Sequence, residues 1–376
     1  MKRMVYADNA ATTQLDLEAF EAMKPFLLTN YGNASQPYSF SRTAKKALKE
    51  SRETIAKCIG ASPEEIYFTS GGTESDNWVI KGSAFSDPLK RATITSSIEH
   101  HAILHACADI ERLGYPVAYL PVSPCGEVVP QTLREWITDQ TRLVSVMFAN
   151  NEIGTVQDIK TLCDIAHSKG AMFHTDAVQV VGHMHIDVKS LGIDMLSASA
   201  HKFNGPKGIG FLYIKKGTAI ASYISGGKQE SGLRAGTENI ASIVGMAIAL
   251  ENNLSHLNEN IAHIEKLEEK LSDGLREREI KFVRNGSNMR VPGNMSLSFD
   301  GYDGESLLHR LDLMGISVST GSACNSETTQ ISHVLHEIGL SDRLAKGTIR
   351  ISLGKNNTEE DIETILSALS RIMKQQ

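Results

Sequence analysis

The chain has little cysteine. There are five in 376 residues, at positions 58, 107, 125, 163 and 324, an odd number, far apart and with no Cys-x-x-Cys pair. That argues against a disulfide framework or a structural zinc site, and free thiols fit a reducing compartment. No apolar run approaches the length of a membrane span. The start, "MKRMVYADNAATT", carries two basic residues with no apolar stretch behind them, which argues against a secretory signal. A cytoplasmic location is therefore expected. Net charge is −6, so general affinity for nucleic acid or membrane is not expected. The chain has no GxxxxGK[ST] phosphate loop, no internal repeat and no low-complexity tract. What remains is ordinary for a soluble globular protein, with 41% hydrophobic and 22% charged residues. The length suits two domains or one large one.

Short apolar strands alternate with helical patterns from about residue 45 to 250. The strand candidates are "EIYFTS", "RATITSS", "PVAYLPV", "TRLVSVMFAN", "AMFHTDA", "DMLSASA" and "GIGFLYI". Such alternation predicts an α/β fold with a mainly parallel, doubly wound sheet. Reactive residues then collect in loops at the carboxyl ends of the strands. A charged helical pattern, "LSHLNENIAHIEKLEEKLSDGLRERE", reads as a connecting helix. "NMSLSFDG", "GISVSTGSAC" and "GTIRISLG" follow and predict a smaller C-terminal α+β domain. The expected division is a large domain over 15–255 and a small one over 1–14 and 256–376. The N-terminal segment is expected to pack with the small domain or against the site.

Three features carry chemistry. In "FTSGGTESDN" (68–77) a strand runs through Gly71-Gly72 and Thr73 into a helix start, which makes an anion nest. In "FHTDAVQ" (173–179) Asp176 ends a strand, with Gln179 close behind. In "SASAHKFNGPKGIGFLYI" (197–214) Lys202 lies between apolar strand residues and a Gly/Pro turn, where loss of water lowers its pKa and suits imine formation. Alone, each has an ordinary reading: an N-cap turn, an N-cap aspartate, a solvated lysine. In this order on an α/β chain they suit pyridoxal 5′-phosphate (PLP), with the lysine on its aldehyde, the aspartate on its ring nitrogen and the nest on its phosphate. "HMH" (183–185) has no partner at ligand spacing and is read as non-metal.

Nearly end to end, the chain resembles the NifS/IscS-type cysteine desulfurases, a class V aminotransferase-like group of fold-type I PLP enzymes. The resemblance rests on "YADNAATT" (6–13), "YGNAS" (31–35), "FTSGGTESDN" (68–77), "SIEHHAI" (97–103), "NNEIGTVQD" (150–158), "HTDAVQ" (174–179), "SASAHKFNGPKGIGFLY" (197–213), "GGKQESGLRAGTEN" (226–239), "STGSACNS" (319–326) and "TIRISLG" (348–354). It implies that Lys202 carries the cofactor, Asp176 pairs with the pyridinium and Gln179 bonds the ring hydroxyl. It implies that His100 stacks on the ring and moves protons, with His101 structural. Thr73, Ser199 and His201 bind the phosphate, with Gly72 supplying main chain. Thr237 reaches the cofactor of a neighbouring subunit, which implies a homodimer. Asn150 lies by the cofactor, with Asn151 as the alternative. Arg350 clamps the substrate carboxylate in the bidentate geometry arginine favours, assisted by Asn33.

By the same resemblance the substrate is L-cysteine and Cys324 is the nucleophile. It takes the sulfur as a persulfide, leaves alanine, and passes the sulfur to an acceptor protein for iron–sulfur cluster, thio-cofactor or tRNA pathways. A free thiol near pKa 8.5 needs nearby positive charge to ionise. The spacing from Cys324 to "SHVL" is similar to that of members with a long cysteine loop, which implies a swinging nucleophile. The chain departs from the family at Ala34 for a proline, Tyr38 for a histidine and Ile331 for a proline. A selenocysteine lyase or another class V PLP enzyme is the alternative activity.

Overall fold

The computed structural model describes residues 4–87, 89–320 and 331–374. Strand β1 (Val5–Tyr6) opens it. Seven strands follow: β2 (Ile66–Thr69), β3 (Ala92–Ser96), β4 (Val117–Leu120), β5 (Thr141–Ser145), β6 (Met172–Asp176), β7 (Met195–Ser199) and β8 (Gly210–Ile214). They match the seven apolar runs read as strands. They form one sheet in the order β2-β8-β7-β6-β5-β3-β4. Strands β3 to β7 pair in parallel, while β8 runs antiparallel to both β7 and β2. Two reversals cancel, so β2 also points its carboxyl end to the same edge as β6 and β7.

The central strands are covered on both sides, which is why they read as buried, largely uncharged runs. Strands β7 and β8 are buried at every residue. On one face Phe173, Leu196 and Phe211 pack with Met246 and Leu250. On the other Leu143, Met195 and Leu212 pack with Trp78, Ile103 and Cys107.

The helix Leu257–Glu277 leads out of this layer. It buries Ile264, Leu267, Leu271 and Leu275 at helical spacing, so one stripe faces a second core. That core also holds Leu297, Ile349, Ile351, Ile365 and Leu369, together with Val5 and Ala7 from the N-terminus. Its sheet joins β9 (Val283–Arg284), β10 (Asn294–Ser298) and, after β11 (Ile316–Ser317), β12 (Thr348–Ser352), in the order β12-β10-β9. Strand β1 pairs in parallel with β11. The N-terminal segment therefore packs with this second core and continues from there into the site. Among the described residues no helix is long and apolar enough to cross a membrane.

Candidate active site

The carboxyl ends of the strands open onto a cleft of about 270 Å³. Strand β2 delivers Gly72 and Thr73, β6 delivers Asp176 and Gln179, and β7 delivers Ser199, His201 and Lys202. His100 comes from the loop after β3, and Arg350 from β12 across the cleft. Nine of the expected residues thus meet in one place.

The nest has a backbone reason. Gly71 has φ of +152°, a conformation L side chains rarely adopt. A Cβ on Gly72 would come within 2.6 Å of Val178 Cγ2. The helix Gly72–Ala84 starts there, so its first-turn N–H groups have no partner inside the helix and its positive end faces the cleft. The Glu74 carboxylate accepts from Ser70 N at 2.7 Å and from Arg234 Nε at 2.7 Å, tying the helix start to the loop 226–239. A second ion pair, Arg52 with Glu230, anchors the same loop. Thr237 on that loop is exposed and lies outside the residues lining this cleft.

Lys202 reaches the cleft from a 3-10 turn after β7. Its Nζ donates to Ala10 O at 2.6 Å and Ala11 O at 2.9 Å. Gln179 Nε2 donates to the same Ala10 O at 3.0 Å. Thr12 Oγ1 meets His201 Nδ1 at 3.1 Å. One N-terminal stretch therefore holds three residues of the cleft through main-chain oxygens and one hydroxyl. The expected packing of the N-terminal segment against the site is realised here by main-chain oxygens, which carry no side-chain signal in the sequence. His183 Nε2 is taken up by Lys202 O at 2.8 Å.

Asp176 lies at the floor. Its carboxylate accepts from Val178 N at 2.9 Å. Burial pushes its pKa up to about 6, opposed by that N–H and by Lys202. Two further buried carboxyls interact with it, Asp76, which also lines the cleft, and Glu99. Burial, together with the charge on Asp176, pushes Asp76 well above the usual carboxylate range. Burial raises Glu99 to about 8, against the Ser96 hydroxyl and the Met147 N–H. His174 is buried between Ser145 Oγ (2.9 Å) and Ser197 Oγ (3.0 Å), and burial takes its pKa down to about 3.

His100 caps the helix His101–Arg112, its Nδ1 accepting from Ala102 N at 3.1 Å. A neutral ring with Nδ1 accepting carries its proton on Nε2. Burial, then the charge of Lys202, takes its pKa down to about 4. A depressed histidine adds stability above its unfolded pKa, near 6.5, and loses it as pH falls toward about 4. The His100 ring proton signals in NMR are therefore expected to stay flat from pH 9 to about 5 and move only near 4. A midpoint near 6.5 contradicts this environment.

Two asparagines sit differently from the reading. Asn150 is fully buried and used locally: Nδ2 donates to Ile98 O, and Oδ1 accepts from Glu152 N and Ile153 N. Its neighbour Asn151 lines the cleft instead. Asn33 Oδ1 accepts from Ser35 N at 2.9 Å, and Asn33 does not line the cleft. Cys324 lies outside the described residues, as do the expectations about its loop. Ser319 before it pairs with Arg350 through both main-chain groups.

Of the other cysteines, burial pushes Cys58 up to about 11 and Cys107 and Cys163 higher still. Cys125 is exposed in a turn outside the cleft.

Comparison with known proteins agrees with this geometry. The aminotransferase class V family matches residues 5–365. A cysteine desulfurase IscS of Clostridium botulinum (strain Hall) is 48% identical, covering 100% of this chain and 96% of the relative. One from Methanosarcina thermophila is 47% identical over 99% of this chain and 92% of its own. A solved NifS-like protein superposes with a TM-score of 0.94 at 39% identity over the whole of both chains. The structure titled SspA in complex with cysteine gives 0.84 at 36% identity, over 95% of this chain and 100% of that one. The chain belongs to the class V aminotransferase family, among its cysteine desulfurases.

Proposed function

We propose that this chain is a PLP-dependent cysteine desulfurase that converts L-cysteine to L-alanine and carries the removed sulfur on Cys324. The observation that carries the reading is the cleft itself, which joins a helix-start anion nest, a buried aspartate and a lysine amine to an arginine from the opposite lobe. These residues fit PLP. The open N–H groups at Gly72, with Thr73, Ser199 and His201, suit its phosphate. The Asp176 carboxylate suits a protonated ring nitrogen, and Asn151 and Gln179 line the same cleft. His100 offers a neutral ring with Nε2–H.

When bound, PLP supplies an electron sink for the substrate carbon that loses its proton. Arg350 binds the amino-acid carboxylate and orients the substrate. The Lys202 amine takes the Cα proton, and the Ala10 and Ala11 carbonyls stabilise the ammonium that results. The Cys324 thiolate attacks the substrate sulfur. An S–S bond forms as the Cβ–S bond breaks, and the electron pair left on carbon takes up a proton, giving alanine. Among the chain's other thiols, Cys58, Cys107 and Cys163 are held protonated by burial and are poor rivals.

An acceptor protein then removes the sulfur. Exposure of Thr237 on a loop anchored by two ion pairs suits contact with the cofactor of a second copy, so we read the enzyme as a homodimer. The direct test is to supply PLP and L-cysteine to the purified protein and measure alanine and, with a thiol reductant, sulfide. Equal amounts of the two support the reading, and neither product sinks it. Arg350→Ala is expected to raise KM for L-cysteine about 30-fold or more while kcat changes less, because a charge-assisted pair to the carboxylate is lost. An unchanged KM removes that role.

A further inference from the structure

Arg350 already holds a carboxylate in this structure, and it is the chain's own. Its Nη2 donates to Asp8 Oδ1 at 2.8 Å and its Nη1 to the main-chain oxygen of Asn151 at 2.9 Å. Both charged side chains are largely buried, at 4% and 18% exposed. The Nε of Arg350 is buried and has no partner among the described residues. A guanidinium has N–H groups on three nitrogens, so the two contacts fix its plane and leave donors, Nε–H among them, for another acceptor. Arg350 also lines the cleft that contains Lys202.

Asp8 is not free to leave. Its main chain bridges to Ser352, two residues from Arg350 on the same strand. On either side of it, Ser352 N donates to Ala7 O at 2.8 Å and Asn9 N donates to Ser352 O at 3.1 Å. Two residues further on begin the carbonyls that hold Lys202. Any carboxylate that reaches Arg350 therefore meets a second, fixed carboxylate on the same cation. The other charged groups here are Glu152, a buried carboxyl raised by burial against the Ser332 hydroxyl and the Arg350 charge, and Lys202 across the cleft.

We propose that Asp8 is a positioning residue for the substrate carboxylate: it fixes the Arg350 guanidinium and, as a resident anion, keeps the grip on any amino-acid carboxylate weak, the product's included. This rests on the reading of Arg350 given above. Two carboxylates on one guanidinium repel, and at about 6 Å, with an effective dielectric midway between a protein surface and bulk water (about 40), the effect on affinity is on the order of tenfold. Such weakening has a use. Binding substrate and transition state equally tightly does not speed the chemical step. Alanine carries the same carboxylate as cysteine, so an unopposed arginine holds product as firmly as substrate.

The test uses the PLP-loaded enzyme and L-alanine as probe, followed by the change in the cofactor's visible absorbance. Asp8→Asn keeps the shape and an acceptor oxygen but removes the charge. It is expected to tighten L-alanine binding about tenfold and lower the KM for L-cysteine in the same proportion. L-Alaninamide, which lacks the carboxylate charge, should bind the variant and the parent alike. Asp8→Glu, which keeps the charge, should stay within about threefold of the parent. Unchanged or weaker L-alanine binding in Asp8→Asn, or equal tightening of the amide, overturns the inference. Arg350→Ala separates the layers. If it leaves L-alanine affinity unchanged, the carboxylate site is not at Arg350 and both readings fall. If it weakens affinity while Asp8→Asn does nothing, the role of Asp8 alone falls.

Discussion

Lys202→Ala is expected to abolish turnover of L-cysteine, by at least roughly 10⁴-fold, and to remove the visible band of the lysine-linked cofactor. Loss of a positioned general base alone accounts for about 10²–10⁴-fold, and loss of the covalent attachment adds to it. The side chain has no substitute nearby. Lys202 is the only lysine among the described residues that line the cleft. His100, a proton-transfer group in the same cleft, has its Nδ1 occupied by Ala102 N and its pKa held near 4. The variant also leaves Ala10 and Ala11 without the Nζ donor, which costs about 1–3 kcal/mol if water does not replace it. Circular dichroism should report a folded protein with a modestly lower Tm. Retained turnover in a colourless Lys202→Ala enzyme contradicts the mechanism.

Cys324→Ser is expected to stop sulfur removal by at least roughly 10³-fold while leaving substrate binding intact. A serine hydroxyl is a far weaker nucleophile than a thiolate and forms no persulfide. The cofactor's absorbance should still respond to L-cysteine, because Lys202, Asp176 and Arg350 are untouched. Rescue from within the chain is not expected from Cys58, Cys107 or Cys163, whose thiols burial holds in the protonated form. The exposed Cys125 is the needed control, and Cys125→Ser should behave as the parent does. Full sulfide release from Cys324→Ser contradicts the nucleophile assignment.

Much of this site was legible in the sequence because strand ends are legible. Asp176 and Ser199 close buried strands, and Lys202 follows three residues after β7. The two-residue strands β1 and β9 were not, since two residues show no period. The choice between Asn150 and Asn151 turned on one residue of loop geometry. The Asn150 side chain closes a local turn with Glu152 and Ile153, which sends its neighbour to the cleft. The contributions of Ala10 and Ala11 are main-chain oxygens, which no residue type announces. Asp8 looked like any acidic residue until β12 brought Arg350 beside it, and the two lie at opposite ends of the chain. In the sequence Asp76 reads only as part of a helix start. Its burial at the cleft comes from the helix Gly72–Ala84 packing across the sheet.

The central claim is that sulfur leaves L-cysteine and arrives on Cys324. The most direct measurement incubates the PLP-loaded enzyme with L-cysteine without reductant or acceptor, alkylates the thiols and identifies the modified peptides by mass spectrometry, with alanine counted in parallel. The account predicts one extra sulfur atom on the peptide carrying Cys324, in about equal amount to the first alanine formed. Alanine without that modification, or the extra sulfur on another cysteine, contradicts it.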